Sequence, residues 1–199
     1  MYEIDVHYYL TYYLAKQTGC FSDAQARAIA NGNQVTDEDD QYAPGPGRIY
    51  RNSRYHALHP GASPGKAFYG GGLDFFAFGR FLHYYQDTFS HAGFDNSAYG
   101  HTKGGHGVDK TATAVGKAMR MARGTYNEIS KFAERECKCK PPGWNSSMEE
   151  TVRKFSEVKT KYPNLADIEG NVALGYSDFA YADYAALGRK VGILGVPFR

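Results

Sequence analysis

The segment "FLHYYQDTFSHAGF" carries His83, Asp87 and His91, each four residues after the last. Imidazole nitrogens and carboxylate oxygens are donors that suit zinc. The chain has 7 histidines, and two of them stand here among residues that are otherwise mostly aromatic or apolar. On a helix each four-residue step drifts by ~40°, so the three side chains share an arc of ~80°. Three buried polar groups on one face are costly unless they are paired. Two helical turns span about 12 Å, too far for His83 and His91 to share one ordinary mononuclear site. The spacing therefore suits two or three neighbouring metals, with Asp87 between them as a bridge.

Other residues could join such a cluster. His106 and Asp109 lie three apart in "GGHGVD", on one face if a helix starts near His106; Asp109 reads equally well as that helix's cap. His7 lies in "IDVHYYL", two residues after Asp5. His56 and His59 lie three apart in "RYHALHP", where one ligand is expected rather than two. Asp37, Glu38, Asp39 and Asp40 form an acidic run that by itself reads as a solvated loop. No histidine follows residue 106, which points to one polynuclear cluster built by the N-terminal half.

The elements that must position these groups are helical. The pattern predicts a largely buried helix over residues 4–18 and a second over 21–35, capped by Ser22 with Gln25 completing a capping box. Asn31-Gly32 is expected to loosen the end of the second helix. A long Gly- and Pro-rich segment follows, with no sustained period, and such loops in compact domains are commonly functional. Further helices are expected over 73–91, 108–136, 147–161 and 173–188, with a Gly-rich loop before the second of these. No alternating strand pattern is present. The expected class is all-α, one metal-binding helical domain over 1–199, with a ligand-bearing half (1–110) and a helical cover (111–199).

Bulk properties exclude other classes. A net charge of +2 gives no case for a nucleic-acid-coating surface. No apolar run approaches the ~20 residues of a membrane span, and the N-terminus lacks the pattern of a signal peptide. The protein is expected in the cytoplasm, or exported by a non-classical route. Three cysteines (Cys20, Cys137 and Cys139) make a poor disulfide framework and read as free thiols in a reducing compartment; "CKC" is a weak zinc-knuckle signal. The residues set no oligomeric state.

The order of these groups resembles a known family. A histidine in the first helix, an aspartate in the next loop, another histidine, H-x3-D-x(n)-H on a helix, then a histidine followed a turn later by a carboxylate: this order resembles the ligand order of the zinc-dependent phospholipase C and fungal-type single-strand nuclease superfamily. "DVHYYLTYYLA", "HALHP" and "FLHYYQDTFSHAGF" look like a bacterial branch of it. The resemblance spans residues 4–110. It implies a multi-helix domain with long irregular loops around a cleft holding three zinc ions. Its ligands would be His7, Asp37, His56, His83, Asp87, His91, His106 and Asp109, with Asp87 bridging and Asp87 and Asp37 catalytic. Asp39 or Asp40 could take the place of Asp37, and His59 that of His56. The superfamily also uses a processed amino terminus as a ligand. This chain starts Met-Tyr, so Asp5 substitutes or one metal is missing, leaving two.

The resemblance implies a metal-dependent phosphoester hydrolase acting on phospholipid or, alternatively, on single-stranded nucleic acid. A third reading is a binding module in which metal only staples the fold. Tyr50, Tyr55, Tyr69 and Tyr99 are expected at the cleft rim, with Tyr55 and Tyr99 on the substrate. Arg48, Arg51, Arg54 and Lys103 could meet its phosphate.

Overall fold

The computed structural model describes residues 5–45, 47–92 and 110–157. The described residues are helical, with no strand among them. His101, His106, Asp109, Tyr99, Lys103, the Gly-rich loop and the helix expected over 173–188 lie outside the described residues.

The chain enters through a π-helical turn, Asp5–Leu10, and continues as α1 (Thr11–Gln17). All six residues of the π turn are buried. Isolated π turns are frequent at functional sites, and this one carries His7. α2 (Asp23–Glu38) starts with the expected capping box: Ser22 Oγ accepts the Gln25 N–H, and Gln25 Oε1 accepts the Ser22 N–H. α3 (Ile49–Tyr55) and a 3₁₀ turn (Pro64–Lys66) punctuate the segment expected to be irregular. α4 (Phe75–Ser90) is capped by Asp74, which accepts the Ala77 N–H. α5 (Val115–Glu136) and α6 (Ser146–Glu157) complete the described helices.

Two expectations fail here. α2 does not loosen at Asn31-Gly32 but runs to Glu38, so Asp37 stands on its last turn rather than in a loop. Gly32 is a contact residue. A Cβ there would lie 2.1 Å from the Phe76 carbonyl oxygen, and one at Gly79 would lie 2.1 Å from the Ile29 carbonyl oxygen. The paired glycines let α2 and α4 touch backbone to backbone. α5 begins at Val115 rather than near 108, and its N-cap is Ala114, which supplies no side-chain cap.

The core lies among α1, α2, α4, α5 and α6 and is rich in aromatic rings. Phe78 of α4 stacks on Phe132 of α5 with centroids 4.1 Å apart. Tyr69, expected at a cleft rim, instead packs edge-on against Phe78 and Phe132.

The thiols also depart from expectation. Cys20, just after α1, is bonded to Cys139, just after α5, across 119 residues of sequence. Lys138 makes this reach: its φ of 53° reverses the chain, and the Cys139 N–H returns to the Ala133 carbonyl. In chain-entropy terms closing a loop of that size is worth about 4–5 kcal/mol. Cys137 alone is free, so the argument for three reduced thiols falls, and with it the "CKC" knuckle.

Replacing Gly79 with alanine drives a methyl into the α2 backbone. A loss of roughly 1–3 kcal/mol or more is expected, read as a lower thermal midpoint. Gly143→Ala, which meets nothing within 4 Å, should leave the midpoint near wild type.

Candidate metal centre

Four elements converge on one buried cluster. The π turn supplies His7, the last turn of α2 supplies Asp37, the residue after α3 is His56, and α4 supplies His83 and Asp87. His7, His56, His83 and Asp87 are fully buried, while the Asp37 side chain is 15% exposed. Two overlapping triads, His7–His83–Asp87 and Asp37–His56–His83, could each hold a metal ion.

Each imidazole is aimed by a fixed acceptor. His7 Nδ1–H donates to Gln86 Oε1 at 2.9 Å. His83 Nδ1–H donates to the Asn33 backbone carbonyl at 2.9 Å. His56 Nε2–H donates to the Tyr42 carbonyl at 2.9 Å. Gln86 and Asn33 are in turn locked together: Asn33 Nδ2 donates to Gln86 Oε1, and both amides donate to Thr11 Oγ1. The Gln86 amide orientation therefore follows from its partners, and so does the His7 tautomer. Outer partners of this kind orient metal-binding histidines and raise their basicity.

The remaining nitrogens turn inward. His56 Nδ1 and His83 Nε2 lie 3.0 Å apart. Each ring already donates through its other nitrogen, so two neutral rings would face each other with lone pairs. That contact repels unless positive charge sits beside it. The carboxylates flank the pair: His83 Nε2 is 3.3 Å from Asp87 Oδ2 and 3.4 Å from Asp37 Oδ1. His56 Nδ1 is 3.5 Å and 3.6 Å from the same two oxygens. Donors about 2.0–2.2 Å from a tetrahedral ion lie roughly 3.3–3.6 Å apart. Asp37 Oδ1 and Asp87 Oδ2 are buried and accept no hydrogen bond among the described residues. These residues fit a metal ion.

Protonation agrees. Burial and the charge of His7 push the pKa of His83 down, keeping it neutral. For His7, burial pushes down, but Asp87 and Asp37 outweigh it and the net shift is upward. Burial alone would raise Asp87. The imidazoles gathered around it, His91 and His83 first and then His56 and His7, outweigh burial and hold the carboxyl well below its ordinary range.

The other nominated residues are placed as follows. His91 sits just past the end of α4 and belongs to neither triad; its Nδ1–H is used on the His56 carbonyl, 3.9 Å from Asp87 Oδ2. Asp5 accepts the Val6 N–H and is outside both triads. His59 is outside them too, its Nε2 3.0 Å from the Tyr84 hydroxyl. Asp39 accepts the Gln41 N–H, and Asp40 is exposed beside Arg48. Tyr55 packs edge-on against Tyr42, whose carbonyl holds His56. Asn33 and Gln86 were missed in the sequence. Their one signal was a buried amide on each of two helices that also carry ligands.

No family model, curated protein or solved structure matches this chain. The resemblance to the phospholipase C and nuclease superfamily stands on its motifs.

Gln86→Leu removes the acceptor for His7. It should weaken metal binding by about 10–100-fold in chelator competition, with the helical signal retained. Metal and protons compete for the same nitrogens, so affinity should fall steadily between pH 7.5 and 5.5. An affinity independent of pH over that range would exclude histidine ligation.

Proposed function

We propose that the protein is a zinc-dependent phosphoester hydrolase, phospholipase C-like, with a dinuclear site. One observation carries the reading: both carboxylates split their oxygens between the same two groups of histidines. Asp87 directs Oδ1 toward His7 at 3.6 Å and Oδ2 toward His56 and His83. Asp37 directs Oδ2 toward His7 at 3.8 Å and Oδ1 toward His56 and His83. One position has His56, His83 and an oxygen from each carboxylate. The other has His7 and the two remaining oxygens. His83 offers one free nitrogen and so serves one ion, which is why the two triads cannot fill independently.

Among the described residues the second position has few protein donors, and an open coordination place is what a catalytic site requires. The resemblance also names His106 and Asp109 as ligands, and both lie outside the described residues. Zinc held there would supply Lewis acidity and lower the pKa of water toward neutrality. The chain does the rest: Asn33, Gln86 and the Tyr42 carbonyl hold the imidazoles in register. Asp37 is the member of the cluster with an exposed edge, so it marks the approach for water and phosphoester.

A second reading, the structural staple, draws on the near-complete burial of the other four ligands. Metal stoichiometry and turnover separate the two. The zinc-loaded protein should hold two or more ions by mass spectrometry and hydrolyse at least one of a phosphodiester chromogen, phosphatidylcholine and single-stranded DNA. Asp87→Ala should lose more than the ~10–100-fold that removing an outer partner costs. One ion and no turnover on any substrate would leave the staple standing.

A further inference from the structure

Arg80 lies on α4, three residues before His83 and seven before Asp87. At 3.6 residues per turn it shares their face, within ~60° of His83 and ~20° of Asp87. Its guanidinium carbon stands 4.9 Å from the centroid of the Tyr42 ring and 5.8 Å from that of Phe76. Cation–π attraction to these rings holds the guanidinium in place without using its five N–H donors. Among the described residues no oxygen accepts a hydrogen bond from those donors, and no carboxylate pairs with them.

The three described arginines that the sequence nominated for phosphate are otherwise engaged. Arg48 donates to the Ala43 carbonyl and faces Asp40 at 3.8 Å. Arg51 donates to the Asp40 carbonyl, and Arg54 to the Tyr50 hydroxyl. Arg80 is also tied to the cluster through one residue: Tyr42 carries its cation–π contact and, through its carbonyl, fixes His56. Asp37, the cluster's exposed edge, lies five residues before Tyr42.

We propose that Arg80 is the substrate's anion clamp, binding phosphoryl oxygens at the mouth of the metal centre through its open guanidinium edge. This rests on the hydrolase reading for its substrate class but is tested without turnover. A planar fork matches two phosphate oxygens at once, and the ring beside it holds that fork in place.

The test is inorganic phosphate binding to the zinc-loaded full chain by calorimetry, with metal content measured in parallel. Wild type should bind phosphate. Arg80→Ala should weaken it about tenfold or more, as loss of charge-assisted hydrogen bonds implies, with metal content unchanged. Arg80→Gln keeps the aliphatic stem and a polar end without the charge, and carries the same expectation should the alanine variant not fold. A wild type that binds no phosphate, or a folded variant within twofold of wild type, overturns the proposal. Phosphate held through Arg80 with no phosphoester turned over would sink the hydrolase reading and leave this one intact.

Discussion

Asp87 is a fully buried carboxyl whose surroundings hold its pKa well below the ordinary range, favouring the charged form. Burying such a charge costs several kcal/mol unless opposite charge and hydrogen bonds offset it. Imidazoles from two other segments and two from its own neighbourhood meet that demand, all within 3.9 Å. Each ring works only if it is turned correctly, which is why one buried amide and three backbone carbonyls are spent on aiming them. The N-terminal half is a shell organised around one charge, and the aromatic core beside it keeps the water out.

The part of this site legible in the sequence is the part written on one helix. His83 and Asp87 are one turn apart, and helical periodicity alone puts them on one face. His91 has the same spacing but falls just past the end of α4, where the backbone leaves the helix and periodicity stops applying. Asp37 looked like loop because Gly32 looked like a terminator. Glycine both ends helices and lets them touch, and only the partner helix tells the two apart. The disulfide was hidden for a related reason. A separation of 119 residues carries no local signal, and the αL turn at Lys138 that closes it is unusual for that residue type.

The site grades from dry to wet across a short distance. His7, His56, His83 and Asp87 have no exposure, Asp37 has a little, and Tyr42 and Arg80 are half-buried beyond it. In the dry part electrostatic interactions are strong and poorly screened; toward Arg80 they weaken. No helix among the described residues is long and apolar enough to cross a membrane.

The contact between Gly32 and Gly79 has a consequence for ion choice. Because α2 and α4 touch through bare backbone, the distance from the Asn33 carbonyl to His83, and from Asp37 to Asp87's helix, has almost no slack. Donors pinned this close suit bonds of about 2.0–2.2 Å, whereas calcium needs 2.3–2.6 Å and more oxygens. Two missing side chains thus act as a calliper: helix packing sets how far the α2 donors stand from those of α4.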